Sequence, residues 1–252
     1  MLEIIDLSKT YEDGTEALKN VSFKVPQGQF LVLIGLSGSG KSTLLRCINR
    51  LVEPTAGQVI WDGRDITAAS GGDLRKIRRE IGMIFQHFNL VKRNSVLTNV
   101  ISGRLGYTNS LRSMLNLWPK SVKEEAMINL DRVGIAEKAW NRADALSGGQ
   151  QQRVGIARAL MQQPHLMLAD EPVASLDPAL SHSIMDYLQD LNQQDGITII
   201  CSLHFLSLAR EYGDRIIALK DGVIMFDGLP VEINDARFLE IYGDEAMEVE
   251  VR

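Results

Sequence analysis

The sequence predicts an α/β fold with three parts: a mostly parallel sheet covered by helices, an antiparallel β subdomain, and an inserted helical subdomain. Up to about residue 62, two alternating segments, EIIDLSKTY and ALKNVSFKV, are typical of half-buried antiparallel strands. Short continuous apolar runs follow, as expected of strands buried on both faces of a parallel sheet. The stretch from about 87 to 160 has helical periodicity instead.

The strands of the parallel sheet are predicted from apolar runs that alternate with helical segments. In chain order these runs are FLVLIG, IGMIFQ (81–86), HLMLAD and GITIICS. A final pair of strands, RIIALKDGVIMFDG, forms a predicted hairpin with Asp221 and Gly222 at its turn.

Two helices carry clear end signals. The segment SVKEEAMINLDRVG places Val122, Ala126, Leu130 and Val133 on one face, and Gly134 suits its end. Ser121 and Glu124 predict a capping box at its start. A later helix is predicted to begin with Asp177 as the N-cap and Pro178 in the first turn.

The chain is therefore predicted to be a single domain over residues 1–252. Residues 1–86 and 161–252 make its core and β subdomains, and residues 87–160 make the helical insert.

Composition restricts the class of protein. The net charge of −5 argues weakly against a nucleic-acid binder, and we expect no nucleic acid as a partner. Cys47 and Cys201 lie in apolar contexts and are interpreted as reduced thiols. No signal peptide is expected, and the apolar runs fall far short of the roughly 18 residues that a membrane span requires. The chain is thus expected to be soluble, with any membrane spans supplied by a partner.

The stretch GLSGSGKST (35–43) matches a phosphate-binding loop. Gly35, Gly40, Lys41 and Ser42 fit the spacing G-x-x-x-x-G-K-[ST], between a buried strand and a helical run. Backbone N–H groups would surround the phosphates, the Lys41 charge would face the β and γ phosphates, and the Ser42 hydroxyl would bind Mg²⁺. The residues expected to contact ATP in this loop are Gly35, Ser37, Gly38, Ser39, Gly40, Lys41, Ser42 and Thr43.

The alternatives to that interpretation are a flexible Gly/Ser loop and a dinucleotide-binding turn. The second fails because Thr43 stands where the third glycine of that fingerprint is needed. We therefore predict that the parallel sheet is a P-loop NTPase core that binds a nucleotide and Mg²⁺, although the loop alone does not separate a kinase, a GTPase and a transport ATPase.

Two further stretches bear on the chemistry. LMLADEP ends a buried strand in Asp170, which could hold Mg²⁺ through water, and Glu171, which could accept a proton from water. Taken alone, such acids are more often a solvated strand end. LSGGQQQR places Ser147 as an N-cap before a helix, which is either an ordinary cap or a second anion site.

Together these motifs resemble the nucleotide-binding subunits of ABC transporters over nearly the whole chain. The matching motifs, in the family's order, are Walker A (Gly35–Ser42), the Q-loop (Gln86), the signature (Leu146–Gln150), Walker B (Leu166–Glu171), the D-loop (175–177) and the switch histidine (His204).

The resemblance implies a role for each of these residues. Tyr11 would stack on adenine, Gln86 would reach the metal or water, and His204 would contact the γ-phosphate, with Glu171 as the catalytic base. Two copies of the chain would close head to tail around two ATP molecules. The signature residues Ser147, Gly148, Gly149 and Gln150 would contact ATP that is held by the other subunit, and Asp177 would be the site residue of the D-loop.

Within this family, SVLTNVISGRLGYTNSLRSML and EPVASLDP resemble the ATPase subunit of phosphonate importers. The resemblance implies ATP-driven uptake of a phosphonate or related phosphorus oxyanion. It also implies a membrane-spanning permease, an extracytoplasmic solute-binding protein, and a peripheral location on the cytoplasmic face of the inner membrane. The alternatives are the ATPase of another polar-solute importer, of amino acid or phosphate type, a P-loop phosphotransferase, and an ABC-type ATPase of DNA repair or translation.

Overall fold

The structure is a computed structural model that describes residues 1–108, 113, 117–174 and 176–243. Its strands are β1 Leu2–Thr10, β2 Glu16–Val25, β3 Phe30–Ile34, β4 Ala56–Trp61, β5 Arg64–Asp65, β6 Ile81–Ile84, β7 Leu166–Asp170, β8 Thr198–Ser202, β9 Arg215–Lys220 and β10 Val223–Gly228. Its α-helices are α1 Lys41–Ile48, α2 Gly71–Arg79, α3 Val96–Ile101, α4 Lys120–Arg132, α5 Gly148–Leu160, α6 Pro178–Gln193, α7 Leu206–Tyr212 and α8 Asp235–Tyr242. Short 3₁₀ helices cover Ser102–Tyr107, Ala136–Lys138, Ala143–Ala145 and Pro230–Glu232.

The antiparallel subdomain is a four-stranded sheet with the order β2-β1-β4-β5. Its strands alternate between buried and exposed positions, so that Leu2, Leu7 and Val21 enter the core while their neighbours face solvent. The alternation that predicted half-buried strands is therefore confirmed.

The second sheet has six strands in the order β10-β9-β3-β8-β7-β6. Neighbouring strands from β9 to β6 are parallel, and β10 returns antiparallel to β9 through the turn at Asp221 and Gly222. Every residue of β3, β6, β7 and β8 is buried. Parallel strands bring their carboxyl ends to one edge of the sheet. The phosphate loop after β3, the acids at the end of β7 and the histidine after β8 therefore meet there.

The segment between β6 and β7 is mainly helical. Helices α3, α4 and α5 pack on one another and share a hydrophobic core with the inner face of the parallel sheet. Ala126, Leu130 and Val133 are buried and Val122 is half-buried, as their shared face predicted. The predicted fold class is confirmed, whereas the bounds 1–86, 87–160 and 161–252 stay a prediction.

The predicted capping box at Ser121 is wrong. With Ser121 as N-cap the helix would begin at Val122, but it begins two residues earlier, at Lys120, with Pro119 at the N-cap, and no side chain of the described residues caps it. Glu124 instead lies 3.3 Å from the Lys120 ammonium group as an i,i+4 ion pair. Proline at the N-cap fixes an extended backbone there, which moves the start of the helix upstream of the serine.

Parts of three predictions lie outside the described residues: Ser175 of the D-loop, positions 109–112 and 114–115 of the importer-like segment SVLTNVISGRLGYTNSLRSML (95–115), and residues 244–252 at the end of the predicted domain. Within the described part of the chain, no helix is both long and apolar enough to cross a bilayer.

Candidate functional site

The phosphate loop has a backbone path that only glycine accepts at two positions. Gly35 has a φ of 138°, and a Cβ added there would lie 2.1 Å from the Leu219 carbonyl oxygen. Gly40 has a φ of 106°, and its Cβ would lie 2.5 Å from the Ala17 carbonyl oxygen. Both clashes are with backbone, so no neighbouring side chain can move to relieve them. The loop is thus held between β2 and β9.

Lys41 occupies the inside of this loop. Its side chain is nearly inaccessible to solvent, and Nζ donates to the Gly35 carbonyl at 2.6 Å and the Leu36 carbonyl at 3.0 Å. Burial lowers the pKa of Lys41, and the charges of Glu171 and Asp170 act in the opposite direction. Among the described residues these two neutral carbonyl oxygens are its hydrogen-bond partners, and an anionic oxygen would be a stronger acceptor for the ammonium group.

Other predicted nucleotide contacts lie around the loop. Ser37 and Gly38 are exposed, and the buried hydroxyl of Ser39 has no hydrogen-bond partner in the described part of the chain. The Tyr11 hydroxyl lies 3.2 Å from Thr43 Oγ1, and the residue is 37% exposed beside the loop. The ring is therefore accessible to a planar ligand.

Asp170 ends β7 in full burial, directly opposite Ser202 of β8. Ser42 donates to its Oδ1 at 2.7 Å, and the Ser202 hydroxyl is 3.3 Å from the same oxygen. Arg46 lies 3.1 Å from Oδ2. The structure therefore brings together Ser42 and Asp170, the two side chains that were each expected to contact Mg²⁺.

Glu171 follows with a φ of 48°, a left-handed conformation that few residues other than glycine adopt. A hydrogen bond of 2.9 Å from its backbone N–H to Ser202 Oγ stabilises this strained conformation. The turn directs the carboxylate away from Asp170 and toward two polar side chains. His204 Nε2 lies 2.6 Å from Oε1, and Gln86 Nε2 donates to Oε2 at 2.8 Å.

The environment of Glu171 sets its ionisation. The hydrogen bond from His204 is the largest influence and holds the pKa of Glu171 below its ordinary value, although burial acts in the other direction. The carboxylate is consequently charged at neutral pH and is fixed at both oxygens. The structure thus brings Gln86, Glu171 and His204 together, as their strand-end positions suggest.

The signature residues lie at the start of α5. Ser147 is the N-cap, and it forms a reciprocal capping box with Gln150. A Cβ added to Gly149 would lie 2.9 Å from a Leu180 methyl group, so α5 and α6 approach closely at this point. Within the described residues, no hydrogen bond joins these residues to the phosphate loop, and Ser147 and Gly148 are exposed.

Asp177 caps α6 by accepting a hydrogen bond from the Leu180 backbone N–H at 3.0 Å, which confirms the predicted helix start. Since Leu180 also contacts Gly149, the D-loop helix and the signature helix touch at this point.

Sequence reasoning missed two residues of the site, Arg46 and Ser202. Arg46 stands four residues after Ser42 on α1, and this spacing places both side chains on one helix face. Ser202 is paired with Asp170 by the register of β7 and β8. The helical spacing was readable in the sequence, whereas the strand register was not.

Comparisons with known proteins agree with this geometry. The family model described as ABC transporter matches residues 18–174. The phosphonates import ATP-binding protein PhnC of Shouchella clausii is 56% identical over 251 residues, covering 100% of this chain and 94% of that protein. The protein of the same name from Bdellovibrio bacteriovorus is 55% identical, covering 99% of this chain and 96% of its own length.

Solved structures of ATP-binding cassettes are also similar to this chain. A dimeric ATP-binding cassette in a post-hydrolysis state, bound to ADP and Pi, has a TM-score of 0.82 and 37% identity. It covers 91% of this chain and 99% of its own. The ADP conformation of an ATP-binding cassette from an ABC transporter has a TM-score of 0.81 and 28% identity, covering 99% and 97% of the two chains.

A phosphate loop that faces two strand-end acids, an amide and a histidine defines a nucleotide-hydrolysing enzyme of the phosphate-loop class. The chain belongs to the ABC transporter family, as its ATP-binding cassette. The predicted family, fold and ATPase activity are thereby confirmed.

Proposed function

We propose that this chain is the ATP-hydrolysing subunit of an importer for phosphonates or a related phosphorus oxyanion. The observation that carries the proposal is full-length similarity, at 52–56% identity, to proteins named as phosphonate import ATP-binding subunits. The site supports the ATPase part independently, because it holds a buried lysine inside a loop of the phosphate-binding pattern and a carboxylate positioned by a histidine.

The residues present fit ATP and Mg²⁺. Lys41 has one ammonium N–H beyond its two carbonyl contacts, and the Ser39 hydroxyl is buried without a partner in the described chain. The loop also ends at the N-terminus of α1, whose dipole favours anions. These groups are the ones expected to meet the phosphates.

The metal would be held by few protein oxygens. In the described chain, no group of three or more acids, histidines or cysteines is placed to hold a metal ion. Mg²⁺ characteristically takes one or two protein ligands together with phosphate oxygens and water. The hydroxyl of Ser42 and the carboxylate of Asp170 fit that requirement, with the amide oxygen of Gln86 as a further contact. When bound, Mg²⁺ neutralises charge on the phosphates.

Glu171 would orient the attacking water and accept its proton. It is ionised at neutral pH, and His204 and Gln86 hold its two oxygens. The main role of His204 would be to fix the direction of the Glu171 carboxylate. From the same position it would also contact the γ-phosphate. The third ammonium N–H of Lys41 would meet the phosphates, and its charge would neutralise them.

A second copy of the chain would complete each site. Ser147 and Gly148 are exposed and make no hydrogen bond to the phosphate loop of their own chain in its described part. In the head-to-tail dimer they would contact ATP held by the partner, and Asp177 would lie at the same interface.

The permease would dock in a groove between α2 and the 3₁₀ helix Ser102–Tyr107. The groove has a volume of about 330 Å³, and its described lining contains no acidic residue. Four arginines line it: Arg75, Arg78, Arg79 and Arg158. This charge is complementary to acidic side chains or to the carboxyl end of a helix on the permease.

The GRLG stretch (103–106) of the importer-like segment contributes Gly103 and Gly106 to one wall of this groove. A Cβ on Gly103 would lie 2.0 Å from the Arg158 carbonyl oxygen, so the 3₁₀ helix packs directly on α5. The guanidinium groups of Arg79 and Arg104 lie 4.9 and 4.7 Å from the centroid of the Tyr107 ring. The segment would therefore select the permease and, through it, the solute, without contacting the solute itself.

The whole assembly would include an extracytoplasmic solute-binding protein, with this chain peripheral on the cytoplasmic face of the inner membrane. The test is growth of a strain that lacks the gene and any second phosphonate importer. It should fail to grow on a phosphonate as the only phosphorus source and should grow normally on orthophosphate.

The wild-type gene should restore growth on the phosphonate, and a Glu171→Gln gene should not. Unchanged phosphonate uptake in the deletion strain would refute the solute assignment. Amino acid and phosphate uptake, measured in the same strain, would identify the alternative importers.

A further inference from the structure

Asp170 is a fully buried carboxylate with a cation already beside it. Arg46 Nη2 lies 3.1 Å from Oδ2, while Ser42 and Ser202 approach Oδ1 at 2.7 and 3.3 Å. Within the described chain, Arg46 is the only cation at ion-pair distance from Asp170. The Lys41 ammonium group is bound instead to the carbonyls of Gly35 and Leu36. A buried carboxylate without such a partner would be costly.

Arg46 reaches this position from α1. It follows Ser42 by four residues, so both side chains leave the same face of the helix and meet the same carboxylate. The Arg46 side chain is 43% exposed, in contrast to the full burial of Asp170. The guanidinium group thus lies at the edge of the site, where it is able to move away into solvent.

The charge on Arg46 conflicts with the binding of a divalent cation. Ser42 and Asp170 are the side chains that fit Mg²⁺, and Arg46 is hydrogen-bonded to the same carboxylate. Two cations at one carboxylate repel each other, and the repulsion is strong where the surroundings are dry.

On the basis of the ATPase function proposed above, we propose that Arg46 is the resting counter-ion of Asp170 and gives way to the metal. Arg46 orients the Asp170 carboxylate and offsets its charge before the metal arrives. Metal binding weakens the Arg46 contact and releases the guanidinium toward solvent. Arg46 is therefore a positioning residue that lowers metal affinity while it stabilises the metal-free fold.

The test is Arg46→Met, which keeps much of the side-chain volume and removes the charge. The variants are made in a Glu171→Gln background so that ATP is not consumed. MgCl₂ is titrated at fixed ATP, and the unfolding temperature is followed. The Mg²⁺ concentration at half of the thermal shift should fall by about tenfold, which corresponds to about 1.4 kcal/mol. Without Mg²⁺ and ATP, the same variant should unfold at a lower temperature than its parent.

Arg50→Met is the matched control. Arg50 binds Glu53 and the Ile66 carbonyl, and its contacts do not include Asp170. It should also lower the unfolding temperature, but it should leave the Mg²⁺ midpoint unchanged. Arg46→Lys keeps the positive charge on a shorter side chain and should lower the Mg²⁺ midpoint by less than Arg46→Met. This variant still tests the proposal if Arg46→Met does not fold.

A Mg²⁺ midpoint in Arg46→Met equal to or above that of Arg50→Met would overturn the role of Arg46. So would an unchanged unfolding temperature in the absence of metal. If the parent itself shows no Mg²⁺-dependent shift, the ATPase proposal fails instead, and the two failures are thereby distinguished.

Discussion

His204 Nε2 lies 2.6 Å from Glu171 Oε1, and this contact joins the loop after β8 to the turn after β7. It depends on two parallel strands that are paired through Asp170 and Ser202. The histidine therefore controls where the carboxylate points and how readily it takes up a proton.

Removing this histidine should change the pH dependence of hydrolysis. The hydrogen bond from His204 keeps the pKa of Glu171 low, and burial alone would raise it. In His204→Ala, the acid limb of the pH profile of residual kcat should move to higher pH. His182→Ala is the control, since His182 faces Glu211 and Tyr212 away from the site and should leave the limb in place.

The lowered pKa of Glu171 also affects the stability of the fold. Because the pKa of folded Glu171 lies below its ordinary value, the ionised group stabilises the fold at pH values above that ordinary value. This contribution is lost as pH falls through the lowered pKa. Thermal melts of the wild type and His204→Ala should therefore differ more at neutral pH than in acid, and a constant difference would contradict the linkage.

Lys41→Ala should abolish productive binding of MgATP. At ATP concentrations near 100 times Kd, ligand binding stabilises the wild type by about 2.7 kcal/mol, and the variant should lose most of this. Thermal unfolding with and without MgATP measures the effect. An undiminished shift in the variant would show that the loop is not the phosphate site.

A mixed dimer tests whether the sites are shared. One chain carries Lys41→Ala and the other Ser147→Arg. In a head-to-tail dimer both lesions fall in one composite site, and the second site stays intact. The mixed dimer should therefore retain occluded ATP. Occlusion as low as in either homodimer would mean that each chain serves its own nucleotide.

The arginine-lined groove should be needed for docking to the permease. Arg75→Glu reverses a charge on its wall and should reduce co-purification with permease membranes. Lys76→Glu, the neighbouring residue on α2, reverses a charge that pairs with Asp73 outside the groove lining and is the matched control. Equal loss in both variants would contradict the proposed docking surface.

Local signals made most of the fold and the site predictable. The phosphate loop lies between a buried strand and a helix that are both recognisable from the sequence. Asp177 and Pro178 together indicate the start of a helix. Placing Asp170, Glu171 and His204 together requires only that parallel strand ends share an edge. These features depend on residues close in sequence or on a general rule of sheet topology.

Other features depend on contacts that no local pattern encodes. Helix α2 was not predicted, because it buries only Ile77 and so has no apolar stripe. The capping box failed because Pro119 starts the helix before Ser121. Arg46 was not recognised as part of the site because its partner, Asp170, lies 124 positions away in sequence.

The most direct test of the ATPase assignment is the Glu171→Gln variant, examined by ATP turnover and by size exclusion with MgATP. Glutamine keeps the shape and hydrogen bonds of Glu171 but cannot accept a proton. Hydrolysis should fall by about 10²–10⁴. ATP should remain bound, and the chain should elute as a dimer that retains it. Normal turnover would exclude Glu171 as the proton acceptor, and a chain that stays monomeric with ATP bound would contradict the shared site.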